Sequence, residues 1–264
     1  MKELLIRTIT GIFLIFLVAG AILLGPLTLA AVTLMVALLG ILEILTLYRL
    51  KADLPHLWMA LTSLCLIPIT LMILRFHWSA WWLAVAAAGW LIGVFRTRST
   101  VPGLLMFLWV SAPLSAFLAL GFAVEPDRYL PVLPLTIISL IWINDTFAYL
   151  TGSMMGKHRL SPVISPGKTW EGLVGGLLMT LLGGYIASRI TQEFIGGIWI
   201  ALALMVSLLG LAGDLFESAL KRKHRVKNSG SLLPGHGGVL DRFDSLFFTA
   251  PFILILYYLL NLRV

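Results

Sequence analysis

Charge is what this sequence has least of. Only 12% of its 264 residues are Asp, Glu, Lys or Arg and 59% are hydrophobic, with a mean hydropathy of +0.99; ordinary soluble domains carry roughly 25% charge. A soluble fold of this length needs a charged shell that the chain lacks. Cysteine is nearly missing too. Cys65 stands alone, which excludes an intrachain disulfide and leaves the redox compartment unmarked. The apolar runs show no period-two alternation, which excludes the strands of a membrane barrel. No internal repeat, low-complexity tract or long linker breaks the chain, so 1–264 reads as a single membrane domain, with N-terminal spans over 1–125 and a motif-bearing half over 126–264.

What is present is a series of apolar runs. Ile12–Leu24, Leu27–Leu47, Leu57–Leu74, Trp81–Val94 and Leu104–Val124 follow one another with short polar breaks. A helix needs about 20 mainly apolar residues to cross the hydrocarbon layer, so the expected fold is an all-α polytopic bundle of about nine transmembrane helices. They are expected near 4–24, 26–48, 56–75, 79–95, 103–124, 129–151, 172–190, 194–216 and 238–262. Pro26, Pro55, Pro102, Pro126 and Pro131 fall at or near the breaks, as helix boundaries require. Ala19-Gly20-Ala21 resembles a signal-peptide cleavage site after the basic Lys2 and Arg7. The apolar stretch continues past it, which favours a retained first span.

The basic residues test this topology independently. Of the 19 Lys and Arg, all but Arg75, Arg128, Arg189, Arg263 and Arg242 fall on the side shared by the N-terminal flank and the loops after the even-numbered spans. Arg242 lies just inside the last span. The positive-inside rule makes that side cytoplasmic.

Acids are few, 12 in all, so their places are informative. Asp145 interrupts an apolar span. Asp214 and Glu217 are three apart, as are Asp241 and Asp244, and residues at that spacing share a helix face. Like charges on one face raise each other's pKa, a penalty that a divalent cation removes. Magnesium suits such a site, since it takes a few carboxylates together with water and substrate phosphates. Ser218, Lys221 and Arg222 continue the stripe from Asp214, giving a metal end and a phosphate end. The bland alternative pairs each acid with a basic neighbour: Glu217 with Lys221, Asp241 or Asp244 with Arg242. The tract from Lys221 to Lys227 likewise has an ordinary reading as juxtamembrane charge facing anionic lipid.

Two loops suit phosphate. In the first, Gly167-Lys168-Thr169 resembles the end of a P-loop, but Pro162 stands where the upstream glycine belongs, which excludes a Walker site. Ser165, Lys168 and Thr169 remain just before a helix start, where free amides favour anions. The glycines that follow, from Gly172 to Gly184, suit close helix packing. In the second loop, Pro234-Gly-His-Gly-Gly238 lets backbone approach a ligand closely and holds His236 near the carboxylates, either as a structural hydrogen-bonding group or as a phosphate or metal contact.

At these residues the sequence resembles the phosphatidate cytidylyltransferase (CDP-diacylglycerol synthase) family. The likeness rests on Ser218-Ala-Leu-Lys-Arg222, Lys227, Ser229-Gly230, Pro234-Gly-His-Gly-Gly238 and Leu240-Asp-Arg-Phe-Asp244. It extends to Asp145-Thr-Phe-Ala-Tyr149, to Ile164-Ser-Pro-Gly-Lys-Thr-Trp-Glu-Gly172 and, in the N-terminal half, to Arg7 and Glu43. One departure stands out: the family pattern has Lys-Asp before Ser-Gly, where this chain has Lys227-Asn228.

The resemblance implies a nucleotidyltransferase of phospholipid biosynthesis that transfers CMP from CTP to phosphatidic acid, releasing pyrophosphate. One or two Mg²⁺ ions would be held by Asp214, Asp241 and Asp244 with Glu217. Lys221, Arg222, Lys227 and His236 would meet the nucleotide phosphates, and Ser165, Lys168, Thr169, Glu171, Asp145, Ser218 and Arg242 would bind substrate. It further implies a homodimer in the bacterial inner (plasma) membrane with a cytoplasm-facing site and no nucleic-acid partner. An ion-coupled carrier using Asp145 and Glu43 is the competing class, though carriers place polar residues near the midplane. Another membrane enzyme using CTP on a different lipid is the competitor within enzymes.

Overall fold

The computed structural model describes residues 2–51, 53–191, 196–233, 235 and 237–259. Pro234 and His236 of the glycine-rich loop therefore lie outside the described residues. The elements run α1 (Lys2–Leu24), α2 (Pro26–Leu47), α3 (Leu54–Leu64), α4 (Leu66–Phe76), α5 (Trp81–Thr97) and α6 (Thr100–Leu104), then a π-helical segment (Leu105–Ser111) and α7 (Ala112–Leu120). They continue with α8 (Val132–Met155), β1 (Arg159–Ser161), β2 (Ser165–Thr169), α9 (Trp170–Ile190), α10 (Gly196–Lys223) and α11 (Leu240–Leu259).

Among the described residues, seven helical stretches are long and apolar enough to cross a membrane: Pro26–Leu47, Leu54–Phe76, Thr100–Leu120, Val132–Met155, Trp170–Ile190, Gly197–Lys223 and Leu240–Leu259. Two shorter apolar helices, Thr8–Leu24 and Trp81–Thr97, accompany them. These stretches match the expected spans segment by segment, and the chain is a polytopic helical membrane protein. Two of them are interrupted. Leu54–Phe76 breaks at Cys65 between α3 and α4, and Thr100–Leu120 passes through the π-helical segment.

Local chemistry sets the boundaries. Gly25 at φ +122° turns the chain between α1 and α2, a conformation open to glycine and strained for other residues, and Pro26 then starts α2 where a missing N–H costs nothing. Asp53 caps α3 by accepting from the His56 amide at 3.2 Å. Helix α10, at 28 residues and about 1.5 Å per residue, outruns the roughly 30 Å hydrocarbon layer. Its charged end, with Lys221, Arg222 and Lys223, is the part with reason to project from it.

The chain divides into two compact units, one of residues 1–131 with 228–243 and the other of 132–227 with 244–264. In the first, α1 to α7 pack together, and the Tyr129 hydroxyl donates to the Ile22 carbonyl at 2.9 Å. The glycine-rich loop and the first turn of α11 belong to this unit.

In the second unit α8, α9 and α10 pack on one another. The glycines of α9 make the approach possible: a Cβ at Gly176 would lie 2.9 Å from the Asn144 carbonyl, and one at Gly184 2.7 Å from that of Trp199. Asn144 ties the three helices, its buried Oδ1 accepting from Ser207 Oγ at 2.8 Å and lying 3.3 Å from Thr180 Oγ1. The stretch expected as a loop after α8 is instead an antiparallel hairpin, with Arg159 opposite Thr169 and Ser161 opposite Ser165. Ser165, Lys168 and Thr169 thus stand on a strand.

Candidate active site

The hairpin brings a cation to the carboxylates of the second unit. Lys168, on β2, reaches Asp214, on α10, with 2.6 Å between Nζ and Oδ2. The other Asp214 oxygen accepts from Ser218 Oγ at 3.2 Å, one turn further along the helix. Asp244, buried on α11, accepts from the Ser245 amide at 2.7 Å. The charges acting on it are those of Asp214, Asp145 and Lys168. Close packing supports this: a Cβ at Gly213 would run into the Asp244 carbonyl oxygen, and Ser245 Oγ donates to the Gly210 carbonyl at 3.3 Å. Asp145, exposed on α8, lies beside Asn144, whose Nδ2 is 3.4 Å from its carboxylate. Asp145, Asp214, Asp244, Lys168 and Ser218 thus belong to one unit and come from four separate elements, with Lys168 and Ser218 in direct contact with Asp214.

Other expected site residues are occupied locally. Buried Glu217 pairs with buried Lys221 at 2.5 Å, the neighbour pairing weighed against a metal role. Arg222 donates from Nε to the Ile164 carbonyl at 3.3 Å and from Nη1 to that of Val226 at 3.1 Å, fastening the hairpin turn to the end of α10. Thr169 caps α9, its Oγ1 accepting from the Gly172 amide at 3.1 Å, so one of the helix-start amides is already used. Glu171 accepts from the amides of Lys157 and His158 at 3.1 and 3.2 Å and lies 2.6 Å from His158 Nδ1, which locks the start of the hairpin. Ser165 is half-buried on β2 and Lys227 is exposed after α10.

Asp241 belongs to the first unit. Its Oδ2 accepts from the Gly238 amide at 2.8 Å and the Ser229 amide at 3.0 Å, and the Ser229 hydroxyl oxygen lies 3.1 Å from it. That oxygen shapes the glycine-rich loop. Gly237 stands at φ +83°, opposite Leu233, and a side chain there would press on Asp241 and Asn228 together. Arg242 is exposed in the first turn of α11. His236, the expected phosphate or metal contact, lies outside the described residues, as does the side chain of Arg7.

Whether these groups suit magnesium follows from their chemistry. Asp145, Asp214 and Asp244 offer carboxylate oxygens and Ser218 a hydroxyl, the hard donors that Mg²⁺ takes. At Asp214 the Lys168 ammonium already stands where a cation would be drawn. The donors fit in kind. Among the described residues, no group of three or more His, Cys, Asp or Glu side chains stands gathered as a metal-binding set.

Three participants carried weak signals in the sequence. Asn144 adjoins the conspicuous Asp145 but is uncharged. Ser229 lies inside the motif yet is an ordinary loop residue. Glu43 is a lone acid in an apolar span, a mark of function at membrane depth, but its partners are 186 to 197 positions away.

A polytopic helical membrane protein in which a lysine of a short hairpin meets a helical carboxylate, with two further carboxylates in the same unit, is the general class that fold and site define. The chain belongs to the cytidylyltransferase family, whose model matches residues 5–260. It is 52% identical over 119 residues to the phosphatidate cytidylyltransferase of Staphylococcus aureus (strain COL); the match covers 44% of this chain, which there spans less than half, 45%, of that relative. Staphylococcus saprophyticus has a similar relative of the same name, 49% identical over 119 residues, covering 44% of this chain and 45% of the relative. The phosphatidate cytidylyltransferase of Staphylococcus epidermidis (strain RP62A) is 34% identical over 268 residues, covering 95% of this chain and 98% of the relative.

Proposed function

We propose that this protein transfers CMP from CTP to phosphatidic acid, giving CDP-diacylglycerol and pyrophosphate. The observation that carries the reading is the meeting of Lys168 with Asp214 in the unit that also gathers Asp145 and Asp244, in a chain of the cytidylyltransferase family.

In the reaction, an oxygen of the lipid phosphate attacks the α-phosphorus of CTP in line. A new O–P bond forms as the bond from the α-phosphorus to the bridging oxygen breaks, and that oxygen leaves with pyrophosphate. A phosphate monoester has its second pKa near about 6, so the attacking oxygen is already largely ionised at neutral pH and no strong general base is needed. Catalysis then consists of positioning and charge neutralisation. Lys168 exchanges its Asp214 contact for a phosphate oxygen when substrate arrives. Lys221, held upright by Glu217, with Arg222 and Lys227, meets the charge that grows on the leaving pyrophosphate. Asp214 and Asp244 would hold Mg²⁺, which would supply neutralisation of the phosphate oxygens. Asp241 acts by shaping the glycine-rich loop. Asn228, lacking the charge of the family's aspartate, lowers the rate without abolishing it. The site opens to the cytoplasm of a bacterial inner membrane, and the protein works as a homodimer.

The test is a purified-protein assay with labelled CTP and a panel of lipid acceptors: phosphatidic acid, an isoprenoid phosphate and an ether-lipid phosphate. The expected result is lipid-linked CMP and pyrophosphate in equal amounts, with phosphatidic acid preferred and the reaction stopped by chelation of divalent cations. Preference for another acceptor would reassign the lipid, and γ-phosphoryl transfer with release of CDP would overturn the reading.

A further inference from the structure

Glu43 lies on α2, an apolar span, and is only 3% exposed. A carboxylate so placed is costly unless its charge is met. It is met by three donors. Oε1 accepts from the Val239 amide at 2.7 Å, and Oε2 accepts from the Leu240 amide at 3.0 Å and the Ser229 hydroxyl at 2.8 Å. Every partner donates, which suits the ionised acid, an acceptor at both oxygens.

Val239 and Leu240 open α11, so these amides are the unpaired donors of a helix N-terminus, where the helix dipole also favours negative charge. Such a start beside glycines commonly takes a phosphate. Here a carboxylate from the chain itself fills the place. The same carboxylate accounts for two glycines of the loop: a Cβ at Gly230 would come within 2.6 Å of Oε1, and one at Gly238 within 2.5 Å of Oε2. Ser229 links this anion to Asp241, its hydroxyl lying between the two carboxylates and its amide donating to Asp241.

We infer that Glu43 is a positioning residue, an internal anion that fixes the glycine-rich loop and the first turn of α11 and so sets where Asn228 and Asp241 stand. Its link to catalysis rests on the CMP-transfer reading; its effect on the loop does not.

The experiment compares wild-type protein with Glu43→Gln, Glu43→Ala and Ser229→Ala in detergent micelles. It follows deuterium uptake in peptides covering 228–243 together with CTP kinetics. Glu43→Gln keeps the shape but turns one acceptor into a donor facing other donors. It is expected to raise uptake in 228–243 and to lower kcat about 10- to 100-fold, the loss expected when a charge-assisted acceptor is replaced, with little change in KM for CTP. Formate fits the space left by Glu43→Ala and is expected to recover part of both quantities. Wild-type uptake and kcat in Glu43→Gln would overturn the inference, as would failure of formate to restore either quantity. Should Glu43→Gln not accumulate as folded protein, Ser229→Ala decides: raised uptake confined to the loop supports the inference and unchanged uptake refutes it. Wild-type protein that transfers no CMP would refute the CMP-transfer reading alone, leaving the exchange measurement to judge Glu43.

Discussion

At the scale of single residues, Lys168 and Asp214 hold each other at 2.6 Å while both remain partly exposed. A surface pair of this kind contributes little to stability, about 0–1 kcal/mol, so its value lies in keeping a cation ready at the carboxylates. Lys168→Ala is expected to leave thermal unfolding nearly unchanged and to lower kcat roughly 10²–10³-fold, the scale of losing one preorganised donor. Steady-state kinetics beside a melting curve would check this. Asn228 makes the complementary case. Asn228→Asp adds a carboxylate at a position packed against Gly237, and on the proposed CMP-transfer reading a rise in kcat is the expected outcome. The carboxylates and lysines of the motif were legible in the sequence because charge is so scarce there. Their partners were not: Glu171 and Thr169 sit among expected substrate contacts, and only folded geometry shows them bound to backbone amides.

Among the elements, the helices were legible because about 20 consecutive apolar residues admit little else in a bilayer. The hairpin was not. β1 has three residues and β2 reads Ser-Pro-Gly-Lys-Thr, too short and too polar for any alternation to appear. Its position depends on long-range contacts, Arg222 to Ile164 and Lys168 to Asp214. The join of α8, α9 and α10 is equally non-local. Asn144 Oδ1 accepts from Ser207 at 2.8 Å and lies 3.3 Å from the Thr180 hydroxyl, which also has the Gly176 carbonyl at 2.7 Å, so Asn144→Ala leaves the buried Ser207 hydroxyl without its acceptor. The expected cost is about 1–3 kcal/mol, read as a lowered melting temperature in detergent. Gly213→Ala, whose Cβ would meet the Asp244 carbonyl, should cost a similar 1–3 kcal/mol by overpacking, as an order-of-magnitude figure, and should lower activity as well, because it displaces the backbone that carries Asp244.

For the whole molecule, the bias of Lys and Arg toward one side gives the topology a direct test. With Cys65 replaced by Ser, a cysteine introduced at Lys157 or Lys227 is expected to react with an impermeant maleimide only when the cytoplasmic side is opened, and one at Arg128 from outside in intact cells. The assignment of 228–243 to the same unit as the N-terminal spans was not legible. Residues 228–243 join the N-terminal unit through the Glu43 contacts with Ser229, Val239 and Leu240, and no local pattern announces a pairing across so much chain.

The central claim is that carboxylates gathered in the second unit carry out CMP transfer. Its most direct test is single-turnover transfer from labelled CTP to phosphatidic acid by Asp244→Asn protein that retains the wild-type melting temperature. The account predicts no detectable lipid-linked CMP above background. Transfer at the wild-type rate would contradict it.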